Sequence, residues 1–144
     1  MRKAIYLILG SLVLYSCINI IVHDEKKAAS KAKEFAEAAF INGNIEVGYS
    51  LLSERTKSSL SSERFREIIE RMHPDSTPIT INSMEYEPIP GQKAMNIYLL
   101  AKKNNEEFYY RLLMVGTKDS GYKVERFLRG KGPYPSSNLR KKIG

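Results

Sequence analysis

The chain predicts an α+β domain in which helices precede an antiparallel sheet, behind an N-terminal membrane anchor. Three observations carry this expectation. An uncharged run, residues 4–22, follows Arg2 and Lys3. Apolar residues then recur at helical spacing as far as Met72. After Pro78 they alternate as in strands and are broken by turn residues. The expected molecule has an anchor helix, then about three helices packed on a curved antiparallel sheet of about four strands. Its 144 residues allow one core and not two.

The uncharged run is 19 residues, close to the length of about 20 that spans a bilayer. A secretory signal has a similar basic start and a shorter apolar stretch. Within it, Leu14-Tyr15-Ser16-Cys17 resembles a bacterial lipobox, which implies lipidation at Cys17. Both alternatives, transmembrane helix and lipoprotein signal, assign residues 1–22 to an anchor and place the remainder outside the cytoplasm.

Asp24 and Glu25 suit a helix start. Ala28, Ala32, Phe35, Ala36, Ala39 and Phe40 form its apolar stripe, and Asn42-Gly43 stops it. Asn44 caps a short second helix containing Tyr49 and Leu52. Residues 53–62 read as a polar, Ser-rich linker whose serines serve as caps. A third helix buries Phe65, Ile68, Ile69 and Met72 and ends at Pro74. Strands are expected over residues 79–87, 93–103, 106–115 and 122–129. Asn104-Asn105 is the central hairpin turn. Residues 130–144 read as a basic, flexible tail.

A turn at Asn104-Asn105 pairs Lys103 with Glu106 and therefore Ile97 with Leu112; the last hairpin, with Val115 opposite Lys123, sets Met114 against Val124 and Leu112 against Arg126. Continuing with strict alternation, one sheet face reads Met95, Ile97, Leu99, Ala101, Phe108, Tyr110, Leu112, Met114, Val124, Arg126 and Leu128. This is the face the helices should cover, and Arg126 is its one charge. The opposite face carries Tyr98, Leu100, Tyr109, Leu113 and Phe127, which makes these the interface candidates.

The 23 Lys and Arg exceed the 16 Asp and Glu, giving a net charge of +7. The excess lies at the two ends, and residues 4–128 are balanced. No basic stripe marks the folded part, so nucleic acid is not an expected partner. One cysteine excludes an internal disulfide. No phosphate loop, EF-hand or zinc spacing occurs, so neither cofactor nor metal is expected. The serines have no nucleophile elbow, and His73 beside Pro74 reads as a capping or solvent residue.

The element order resembles the nuclear transport factor 2-like superfamily, a cystatin-like α+β cone. The residues that carry the resemblance are the helix ending at Phe40, the Asn42-Gly43-Asn44 break, Tyr49-Ser50-Leu51-Leu52-Ser53, Leu60-Ser61 leading into Phe65, and the Tyr-rich closing hairpin. It covers residues 23–129 and extends to small membrane-anchored and lipoprotein members. The resemblance implies a conical pocket between helices and sheet. Some members are enzymes and others bind ligands or assemble proteins, so the fold alone leaves function open. Two functions are weighed on this basis. One is a non-catalytic binding or assembly module working through the outer sheet face, with a second copy or an envelope protein as partner. The other is a pocket protein holding a small molecule with Arg126, Tyr110, Tyr86 and Tyr49. In the second reading Arg126 either meets an anion or pairs with a helix acid such as Glu37 or Glu70.

Overall fold

The computed structural model describes residues 20–144. Cys17 and most of the expected anchor segment lie outside the described residues. Among those described, no helix is long and apolar enough to cross a membrane.

Helix α1 (Glu25–Ala36) begins at Asp24, whose side chain accepts from the Lys27 amide at 3.0 Å. It buries Ala28, Ala29, Ala32, Phe35 and Ala36 and runs into a π-helical turn, Glu37–Ile41. That turn buries three consecutive residues, Ala38, Ala39 and Phe40, which a regular helix would spread around its circumference. Gly43 then takes a positive φ of 62° and ends the segment. Helix α2 (Ile45–Ser50) starts on the Asn44 side chain, as its sequence suggests.

The segment expected to be a linker forms a fourth helix. Ser53 caps α3 (Glu54–Ser59), and none of its residues is buried. Its register carries no apolar stripe, so periodicity does not reveal it. Helix α4 (Ser62–Met72) starts on Ser61, buries Phe65 and Ile69, and ends at His73 before Pro74.

Five strands form one antiparallel sheet in the order β4-β3-β2-β1-β5. They are β1 (Thr80–Pro88), β2 (Ala94–Lys103), β3 (Glu106–Thr117), β4 (Gly121–Gly130) and a short β5 (Lys141–Lys142). Asn104 takes the positive φ that the central turn needs, 54°. The β2–β3 register matches the expected one from Lys103↔Glu106 through Leu99↔Tyr110 to Ile97↔Leu112.

The β3–β4 register matches for Val115↔Lys123 and Met114↔Val124 and then departs. Leu113, not Leu112, pairs with Arg126. Glu125 is the extra residue of a β-bulge, and every side chain beyond it changes face. Phe127 therefore points toward the helices, while Arg126 and Leu128 point away. This corrects the expected positions of Arg126 and Phe127.

The bulge is held from outside the strand. The Ser53 amide donates to the Val124 carbonyl at 2.8 Å, and the Val124 amide donates to the Leu51 carbonyl at 2.9 Å. The Thr56 hydroxyl donates to the Glu125 carbonyl at 2.9 Å. The α3 region thus serves the sheet edge, satisfying backbone groups that β4 would otherwise leave open.

The expectation of a loose tail is also corrected. Residues 133–143 lie against the sheet. Lys141 and Lys142 pair with Tyr86 and Glu85, and the Ile143 amide donates to the Met84 carbonyl at 3.1 Å. Tyr134 meets Tyr98 edge-on at 5.5 Å, and the Arg140 guanidinium sits 4.3 Å over the same Tyr98 ring. Arg140 also pairs with Glu85 at 3.1 Å, and the Ser137 hydroxyl donates to Glu87 at 2.6 Å. Specific polar contacts hold this strap, not an apolar periodicity that sequence displays.

Candidate functional site

The space between helices and sheet is filled by aromatic rings. Phe127 lies 5.4 Å from Phe35 and 5.5 Å from Phe65, centroid to centroid, and Phe35 lies 5.4 Å from Phe40. Phe40 stacks on Tyr110 at 4.4 Å. Phe35, Phe40, Phe65 and Tyr110 are all fully buried. Where the superfamily resemblance implies a conical pocket, this chain places a packed core.

The polar part of that core is a dyad that sequence alone does not bring together. The Tyr110 hydroxyl lies 2.6 Å from His73 Nε2, and His73 Nδ1 lies 3.1 Å from the Ile69 carbonyl. A carbonyl only accepts, so Nδ1 carries the hydrogen and Nε2 accepts from Tyr110. Burial pushes the His73 pKa below its ordinary value; the Ile69 hydrogen bond opposes this and the nearby Arg129 charge adds to it. Burial pushes the Tyr110 hydroxyl well above its ordinary value. Arg129 donates to the Met72 carbonyl at the end of α4 at 2.5 Å and lies 4.7 Å over the Phe108 ring. Both imidazole nitrogens and the tyrosine hydroxyl are therefore committed to one another or to backbone. The group joins the exit of α4 to the sheet, and a cleft of about 330 Å³ opens beside it between Phe40, Ile69, Glu70 and His73.

The four expected pocket residues do not meet. Tyr110 is in the core, and Arg126 is exposed on the opposite face of the sheet. Tyr49 packs on Phe65 and donates to the Leu60 carbonyl at 2.7 Å. Tyr86 is half-buried near the β5 edge. Arg126 also pairs with neither Glu37 nor Glu70; Glu37 is 3.7 Å from Lys33.

The outer face is organised differently. Tyr98, Leu100, Tyr109 and Leu113 lie on it, half-buried, as expected. The tail strap covers Tyr98. Beyond the strap, Ile89, Asn96, Arg111, Leu113, Arg126 and Leu128 line a groove of about 200 Å³. Its register is fixed by the bulge: Arg111 stands opposite Leu128 and Leu113 opposite Arg126. The carboxylates bordering the face are engaged elsewhere. Glu85 pairs with Arg140, Glu107 with Lys102 at 3.1 Å, Glu125 with Arg55 at 3.9 Å, and Glu87 accepts from Ser137. Among the described residues neither Arg111 nor Arg126 has a carboxylate partner, and residues 1–19 contain no acid. The guanidinium of Arg111 lies 5.5 Å from the Tyr134 ring.

Arg111 and Leu128 were not singled out by sequence reasoning. The signal that pointed to them was the one charge, Arg126, on an otherwise apolar expected face, next to a phenylalanine expected outside. A bulge resolves both anomalies at once.

Among the described residues no group of three or more His, Cys, Asp or Glu is placed to hold a metal ion. No family model, curated protein or solved structure matches the chain significantly.

Proposed function

We propose that the chain is a non-catalytic binding or assembly module of the cell envelope, anchored by residues 1–22 and working through the outer face of its sheet. The observation that carries this reading is the groove around Arg111 and Arg126. It lies on the face away from the helices, combines aliphatic walls with two arginines that lack carboxylate partners among the described residues, and borders the tail, whose Tyr134 ring lies 5.5 Å from the Arg111 guanidinium. Leu128, at its edge, is 39% exposed. An apolar surface with charges that lack internal partners is better explained by association than by stability.

The anchoring half of the proposal draws support from where the chain enters the domain. Ile20 and Val22 are exposed. The Val22 carbonyl accepts from the Lys118 amide at 2.9 Å, and His23 bridges the Gln92 carbonyl and the Tyr122 hydroxyl at 3.1 and 3.3 Å. The segment thus reaches the sheet at the end formed by the β1–β2 and β3–β4 turns. A soluble domain standing on that end, outside the cytoplasm, presents its outer face sideways to partners. The order of helices before a meandering antiparallel sheet agrees with the nuclear transport factor 2-like resemblance, with the cone interior closed by aromatic packing.

The test uses the full chain in its own membranes, with a photo-crosslinking amino acid at Leu128 or at Val47 on α2. The reading expects a discrete protein adduct, a partner or a second copy, from position 128 and none from position 47. Equal adducts from both positions, or none from 128, would overturn it. Recovery of the chain in the soluble fraction would remove the anchoring half.

A further inference from the structure

We infer that the outer groove receives an acidic side chain, Asp or Glu, that a partner protein presents among aliphatic neighbours. This rests on the reading that the outer face binds a partner, and it names the chemistry of the contact.

Charge is the first argument. Arg111 and Arg126 are diagonal neighbours on adjacent strands, their backbone positions roughly 7 Å apart by sheet geometry, and both side chains line the groove. Like charges so placed repel, and the four carboxylates bordering the face already have other partners. One carboxylate seated between the guanidiniums relieves the repulsion and accepts charge-assisted hydrogen bonds from both. Asn96, opposite Leu113, adds a side-chain amide at the groove's other side.

Shape is the second argument. About 200 Å³ walled by Ile89, Leu113 and Leu128 accommodates a carboxylate and a few methylenes. It is an open trough and offers no tunnel for an acyl chain. Position is the third. Arg126 stands opposite Leu113, four residues along β3 from Thr117, beside which Val22 enters. At about 3.3 Å per residue this is about 13 Å of strand. The arginine end of the groove, unlike Ile89 in the β1–β2 turn, is thereby set back from the surface holding the anchor when the sheet stands on that end.

The photo-crosslinking strain with the probe at Leu128 provides the test. The adduct should fall more than tenfold with Arg126→Glu and persist with Arg126→Lys. It should map to a segment of the partner containing Asp or Glu, and changing that acid to Lys should restore the adduct with Arg126→Glu. Arg126 is exposed, so the variants keep the fold, which circular dichroism verifies. A protein adduct indifferent to Arg126→Glu would overturn the acidic contact while leaving outer-face binding in place. An adduct to lipid would overturn the protein partner. No adduct at all would overturn this inference together with the reading beneath it.

Discussion

The two faces of the sheet are built from the same alternating strands and have opposite characters. The inner face is closed: Phe35, Phe40, Phe65 and Tyr110 fill it, and its polar groups, His73 and Arg129, find partners inside the molecule. The outer face is open over its β3–β4 half, and two arginines there have no carboxylate partner among the described residues. One residue separates the two outcomes. Glu125 shifts the phase of β4, so a phenylalanine joins the core and an arginine leaves it. The difference teaches that this domain sets the make-up of its outer face by a local backbone irregularity and not by its hydrophobic pattern.

Inserting one alanine between Glu125 and Arg126 should break the comparison most severely. With the bulge kept and one residue more beyond it, Phe127 turns out and Arg126 turns in. Loss of the Phe127 packing alone costs about 3–5 kcal/mol, and an unpaired buried charge adds to it. The full chain in mild detergent should lose its cooperative melting transition by circular dichroism. A melting temperature within a few degrees of wild type would contradict the assignment of the bulge.

Point substitutions sharpen the same contrast. Phe127→Ala should destabilise by about 3–5 kcal/mol in urea titration, whereas Arg126→Ala and Leu128→Ala should stay within about 0.5 kcal/mol of wild type. Similar losses at all three positions would mean that both faces are packed.

Thr56→Val removes the hydroxyl that donates to the bulge carbonyl. The expected loss is about 1 kcal/mol, measured by the same titration. No loss at all would mean that α3 does not hold the bulge.

The smallest effect concerns pH. The folded state holds the His73 pKa below its ordinary 6.5, so the unfolded chain binds more protons as pH falls. Stability should therefore decline as pH drops from 7.5 through the ordinary histidine range and level off below the folded value. His73→Gln keeps one donor and one acceptor and should flatten this part of the profile. An unchanged slope would show that His73 is not the group responsible.

Much of the architecture was legible. The Asn104-Asn105 turn fixes the β2–β3 register, and alternation from Met95 to Ala101 and from Phe108 to Met114 confirms its faces. Helix caps at Asp24, Asn44 and Ser61 were readable because a side-chain oxygen precedes each apolar stripe. Helix α3 was not, since it buries nothing and rests on hydrogen bonds to a strand some seventy residues later. The tail was misread because Tyr134 and Arg140 act through single contacts to distant residues. The His73–Tyr110 pair spans 37 positions and leaves no periodic trace. Of the candidate site, Tyr98, Leu100, Tyr109 and Leu113 were placed on the correct face, whereas Arg126 and Phe127 were exchanged by the bulge.

The most direct test of the account is a cysteine-accessibility scan across the bulge. In the full chain with Cys17→Ser, single changes Val124→Cys, Arg126→Cys, Phe127→Cys and Leu128→Cys are each treated with a polar maleimide in mild detergent. The account predicts fast modification at 126 and 128 and slow modification at 124 and 127. Slow modification at 124, 126 and 128 with fast modification at 127 would mean a regular strand, and would return Arg126 to the core and Phe127 to the outer face.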